Sequence, residues 1–122
     1  MIEVLPSAAD VAAFRAVGTL TGDDYDLMLS TLDERLSRHE RIGMFMDMTE
    51  FTDLTAEALA KDMRYAMAKL GQWSRFSRSA VITDKEWLKA LVRIGSAMVP
   101  QVEVRTYSPD DREAAMAFVA GA

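Results

Sequence analysis

Apolar and polar residues alternate with two different periods along this chain, and the changes of period mark out its elements. Residues 1–5 alternate around Ile2 and Val4, which predicts a short strand. Pro6 to Asp10 reads as a turn. Val11 to Leu20 alternates again, with Phe14, Ala16, Gly18 and Leu20 on one side and Arg15, Val17 and Thr19 on the other. The short connection predicts that these two strands form an antiparallel hairpin. The period then lengthens. Thr21 followed by Asp24 is a capping-box pattern, and Tyr25, Met28, Leu29, Leu32 and Leu36 recur at helical spacing as far as His39.

Ile42 to Met48 is almost continuously apolar, as a strand buried on both faces would be. Thr49 to Leu54 reads as a loop. Thr55 caps a second helix running to Gly71, with Leu59, Ala60, Met63, Ala66, Met67 and Leu70 as the face expected to pack. Trp73 to Ser77 reads as a loop and Arg78 to Thr83 as a strand. Thr83 and Glu86 form a second capping-box pattern, opening a helix from Asp84 to Val99 that Pro100 stops. On that helix Trp87, Leu88, Leu91, Val92, Ile94, Met98 and Val99 share one arc, expected to be buried, while Lys85, Lys89 and Arg93 share the opposite side. Val102 to Tyr107 alternates like an edge strand. Ser108-Pro109 opens a last helix that buries Ala115, Phe118 and Val119.

Strand and helix alternate from residue 11 onward, which implies right-handed crossovers. The expected architecture is α/β: a five-stranded, mostly parallel sheet, first strand antiparallel, with four helices, in a single domain over residues 1–122.

Composition narrows the chemistry. There is no cysteine among the 122 residues, which removes disulfides, thiolate metal sites and cysteine nucleophiles. The net charge of −5 argues against nucleic acid as a partner, because that affinity rests on phosphate neutralisation. No apolar run reaches the ~20 residues of a membrane helix. The amino terminus, broken by Pro6, lacks a secretory-signal pattern, so a cytoplasmic protein is expected. Against this acidic background Trp73 to Val99 holds five basic residues and two acidic ones, a local charge of +3. Such an island is a candidate contact surface for an anionic partner, including the periphery of a membrane.

Catalytic constellations are weak. His39 is the only histidine, and its place at a helix end suits a dipole role. Asp47, Glu50, Asp53 and Asp62 gather in sequence near the end of the central strand, where ligands of α/β sheets bind, but a cap, a turn aspartate and solvated helix charges account for them better. No glycine-rich phosphate loop occurs, and no cofactor or metal is implied. Nine methionines are present, and Met44, Met46, Met48, Met63, Met67 and Met98 fall on predicted buried faces. Methionine-lined space beside Trp87 is what a site for a small apolar ligand would look like.

The order of elements carries a resemblance. Gly18-Thr19-Leu20-Thr21 with Asp24-Tyr25, Phe45-Met46-Asp47, Phe51, Asp62, and Arg78 to Asp84 followed by Trp87 together resemble the SpoIIAA-like family of small bacterial proteins. That resemblance implies the β-α superhelix shared with STAS and CRAL-TRIO domains. It also implies ligand binding in an apolar pocket or association with a membrane surface. STAS regulators carry a phosphorylatable serine at the start of the second helix. The corresponding position here is Leu54, within Asp53-Leu54-Thr55-Ala56, so the usual phosphoserine is missing; Thr55 is the one neighbouring hydroxyl that could substitute, and its simplest role is the helix cap.

The expectation is therefore a non-enzymatic binding module for a small apolar or amphipathic ligand, or a STAS-like interaction regulator without the phosphoserine. Trp87, Met63, Met67, Trp73 and Phe76 are the expected ligand-binding residues, with Arg75 and Arg78 at the rim. Lys85, Lys89 and Arg93 are the expected surface contacts. Because these three lie opposite Trp87, only the loop from Trp73 to Arg78 can join a pocket to a charged rim. A homodimer through the edge strand is also compatible.

Overall fold

The computed structural model describes residues 1–121. Its strands are β1 (Ile2–Val4), β2 (Val11–Leu20), β3 (Ile42–Leu54), β4 (Phe76–Ile82) and β5 (Glu103–Tyr107). They lie side by side in chain order, β1 antiparallel to β2 and every later pair parallel. The helices are α1 (Gly22–Arg38), α2 (Ala56–Ala68), α3 (Glu86–Met98) and α4 (Arg112–Val119), with short 3-10 turns at Trp73–Arg75 and Pro109–Asp111. The expected α/β sheet and helix order are present.

Besides β4 opening at Phe76 instead of Arg78 and α4 at Arg112 after a 3-10 turn, two predicted features differ from the structure. β3 continues through Leu54 instead of ending at Met48. Its extension pairs with the far half of β2, Val17 against Glu50, Gly18 against Phe51 and Leu20 against Leu54. A ten-residue β2 needs a parallel partner along its length, and that pairing outweighs the polar sequence of residues 49–53. Gly18 sits at a break in this register with φ +66, a conformation glycine adopts without steric cost. The second difference is at α3. Lys85, not Thr83, is its N-cap, and the Thr83 hydroxyl accepts instead from the Lys85 amide at 3.1 Å. At Thr21 the capping box forms as predicted, with Asp24 closing it.

The sheet carries helices on both faces. α1 and the flanks of α2 and α3 cover one side, through Tyr25, Met28, Leu32, Leu36, Ala58 and Leu88. α4 covers the other, where Ala115, Phe118 and Val119 meet Val11, Ala13, Phe45, Ala80 and Ile82. This second face is closed tightly. A Cβ on Gly43 would lie 2.3 Å from the Val119 carbonyl oxygen, so α4 reaches β3 only because residue 43 has no side chain.

Asp47 completes the attachment of α4. It is 5% exposed, and Arg112 donates to Oδ2 through Nε at 3.0 Å and Nη2 at 2.8 Å. Thr49 donates its hydroxyl and amide to Oδ1, at 2.6 and 3.0 Å. Burial alone would push this carboxyl up, but the Thr49 and Arg112 bonds outweigh it and hold it below the usual carboxylate range.

Two outcomes follow for stability. Gly43→Ala should lower the urea midpoint with an unchanged m-value, by about 1–3 kcal/mol, the usual cost of overpacking. Asp47 has a lowered folded-state pKa, so its contribution is present above the unfolded value of about 3.9 and is lost as pH falls through the lower folded value. Asp47→Asn should therefore cost about 1–3 kcal/mol at pH 7 and flatten the acid limb of the stability profile, read by urea melts from pH 7 to 2.

Candidate functional site

α2 does not lie flat on the sheet. It docks on α1 through a polar seam. Lys61, Tyr65 and Lys69 recur four residues apart, so they share one face. Opposite them α1 presents Asp26 and Asp33. Lys61 Nζ reaches Asp26 at 2.7 Å, Lys69 Nζ reaches Asp33 at 3.3 Å, and the Tyr65 hydroxyl donates to Asp33 at 3.0 Å. The lysine stems are largely covered, with only the heads meeting acids. α3 packs separately, against β5.

A cleft remains between these units. Its volume is about 230 Å³. Met28, Leu29 and Leu32 of α1 form one end, and Met44, Phe76, Ser79 and Val104 form a floor across three strands. Tyr65, Ala66 and Asp62 of α2 form the roof, and Trp73, Val99 and Val102 close the sides. The Trp73 ring stacks at a tilt on Phe76, centroids 5.5 Å apart, so this tryptophan folds back as a wall. The lining contains one carboxyl, Asp62, and no lysine, arginine or histidine.

Asp62 stands at the edge of the cleft and is itself exposed to solvent. The apolar walls nevertheless crowd it, and this desolvation raises its carboxyl above the usual range, with the Tyr25 hydroxyl acting in the opposite sense. Tyr25 is pushed up in turn, first by its own burial and then by the adjacent Asp62, so its hydroxyl serves only as a neutral hydrogen-bonding group.

Among the residues expected to bind a ligand, Trp73 and Phe76 line the cleft. Met63 and Met67 do not. They stand outside it on the solvent side of α2, with Leu59 and Leu70, and Met67 is 66% exposed. The reason is the polar seam, which turns the Lys61-Tyr65-Lys69 face towards α1 and rotates the apolar stripe away. Trp87 is likewise not inside. It is 49% exposed, in loose contact with Phe51 at 6.2 Å between ring centroids. Only the Leu88 side of the expected α3 arc is buried, with Val92 and Val99 half-buried beside it. Leu91, Ile94 and Met98 extend the exposed stripe from Trp87, Met98 being 78% exposed.

The arginines expected at the rim have other work. Arg75 donates to the carbonyls of Leu36, His39 and Glu40, closing the C-terminal end of α1. Arg78 lies on the opposite face of the sheet, donating to the Phe118 carbonyl at 3.0 Å and covering the Phe118 ring. Lys85 bonds the Thr49 carbonyl at 2.9 Å, and Lys89 meets Glu86 at 3.2 Å. Arg93 is exposed, beside Lys89 over β5. The carboxylates that gather in sequence are dispersed: Asp47 to Arg112, Glu50 to Arg15, Asp53 to Thr19 and Asp62 to the cleft. Among the described residues no three acidic or histidine side chains lie close enough to hold a metal ion. His39 is the C-cap of α1.

Sequence reasoning missed the cleft-lining role of Met28, Tyr65, Ser79 and Val102. The available signal was the spacing of Lys61, Tyr65 and Lys69 against Asp26 and Asp33.

No curated protein sequence matches the chain. Among solved structures, it is similar to the crystal structure of an uncharacterized protein from Shewanella loihica PV-4, of the DUF3478 family with a SpoIIAA-like fold. The identity is 28%, over 98% of this chain and 92% of that one, with a TM-score of 0.73. The family model described as SpoIIAA-like matches residues 11–120, nearly the whole sheet and all four helices, and the chain belongs to the SpoIIAA-like family.

Proposed function

We propose that this protein is a non-enzymatic binding module that takes a small apolar or amphipathic ligand into the cleft beneath α2. The observation that carries this reading is a cleft of about 230 Å³ with almost wholly apolar walls. Enclosed apolar cavities of about 150 Å³ already bind benzene-sized molecules. The absence of a paired nucleophile and base, or of a free acid–base couple, from the described lining favours binding over turnover.

The exposed stripes of α2 and α3 favour a second, compatible reading, in which this face of the protein meets an anionic membrane surface. Methionine, leucine and tryptophan side chains would enter the interface, while Arg64 remains available beside the α2 stripe. A STAS-like role in protein interaction would use the same stripes without the serine that Leu54 replaces.

A neutral dye, N-phenyl-1-naphthylamine, should brighten saturably at one site per chain. Ala66→Trp, which fills the roof of the cleft, should weaken it about tenfold or more, whereas the Met63→Ser/Met67→Ser pair should leave it unchanged. The reverse pattern would move the site to the exposed stripe. For the second reading, the protein should co-sediment with vesicles containing anionic lipid more than with neutral ones, and Leu91→Asp/Met98→Asp should abolish this. Equal, negligible pelleting with both vesicle types would sink it.

A further inference from the structure

The polar content of the cleft is one-sided. Asp62 is the single carboxyl of its lining, and no cationic side chain shares that lining. The nearest lysines on the same helix are engaged elsewhere, Lys61 with Asp26 and Lys69 with Asp33. Arg75, on the neighbouring turn, is held by three backbone carbonyls. The Tyr65 hydroxyl is directed to Asp33, and Ser79 adds a hydroxyl to the floor. A carboxylate has about four acceptor sites, and the Tyr25 hydroxyl can fill only one.

A ligand seated in this space would cover part of the exposed Asp62 carboxylate. Burying an ionised group without a partner is costly, and placing a second anion beside it is costlier. An alcohol or amine on the ligand would replace the lost water as donor. A carboxylate or phosphate head would find no cation and would face Asp62 directly.

From this juxtaposition we infer that the cleft selects apolar ligands whose head donates a hydrogen bond, an alcohol or an amine, and discriminates against the corresponding carboxylates, with Asp62 as the selecting residue. This rests on the cleft being a binding site, as proposed above, and goes further in naming the ligand class. It also reverses the expectation of an anionic ligand drawn from the basic segment, because Arg75, Arg78 and Lys85 are not in the cleft wall.

The test uses three ligands with one chain length: octylamine, 1-octanol and octanoate, titrated calorimetrically into the full chain at pH 8 and below their micellar range. Octylamine and 1-octanol should bind about tenfold or more tightly than octanoate. Asp62→Asn keeps the shape and removes the charge. It should narrow the octylamine-to-octanoate ratio by about tenfold while changing 1-octanol affinity by less than about threefold. Asp62→Ser gives the same readout if the Asn variant melts early. Octanoate binding as tightly as the other two, or a ratio untouched by both substitutions, overturns the headgroup inference while leaving the cleft as a binding site. If none of the three binds, the cleft reading itself fails, and the headgroup inference with it.

Discussion

The seam between α1 and α2 decides what the rest of this molecule can do. Lys61 and Lys69 meet Asp26 and Asp33 across it, and Tyr65 adds a hydrogen bond. Ion pairs of this partly exposed kind contribute at most about 1 kcal/mol each. Fully burying a Leu or Met side chain contributes about 1.5–3 kcal/mol. Leu59, Met63, Met67 and Leu70 are all left largely in solvent by the present orientation of α2. Side-chain polarity alone therefore does not explain the arrangement. Rotating the helix to bury the stripe would turn the Lys61-Tyr65-Lys69 row away from Asp26 and Asp33 and forfeit the whole seam at once. The orientation adopted pairs both lysines and leaves Asp62 and Arg64 in solvent.

The other face of the sheet shows what the same chain does when nothing needs to enter. α4 is drawn onto β3 and β4 by small residues and by a buried carboxylate with its bonds made. Gly43 admits the Val119 carbonyl, and Asp47 accepts from Arg112 and Thr49. No stripe comparable to that of α2 or α3 is exposed on α4. The large exposed apolar side chains lie instead mainly on the two helices flanking the cleft. Exposure concentrated on α2 and α3 is a property of the site, since the fold is able to bury its helices where the sequence allows it.

Much of the fold was legible because it depends on local periodicity. The limits of β2, the stripe Tyr25-Met28-Leu32-Leu36 and the capping box at Thr21 are all short-range patterns, and each is found in place. The site was less legible because it depends on how whole helices are rotated. A helical wheel for α2 identifies an apolar stripe but not whether the stripe or the Lys61-Tyr65-Lys69 row faces inward. That choice is made by Asp26 and Asp33, about thirty residues earlier in the chain. Counting charge along the sequence was misleading for the same reason. The +3 of Trp73 to Val99 is divided between the two faces of the sheet, Arg75 towards the end of α1 and Arg78 towards α4. Contiguity in sequence did not make a contiguous surface.

Asp62 shows how these levels join. On α2 it lies next to Lys61 in the chain but a quarter-turn further round the helix, beyond the reach of the seam and at the edge of the apolar stripe. It is consequently an exposed carboxyl without a salt bridge, set at the edge of an apolar cleft with the Tyr25 hydroxyl beside it. Closing the cleft with a purely apolar molecule would remove water and supply nothing in return. The same desolvation that raises this carboxyl would grow as a ligand covered it, unless the ligand brought a donor. An apolar cavity with one under-partnered acceptor thus sets its own condition on what fills it, and the condition arises from the polar seam that holds α2 off the sheet.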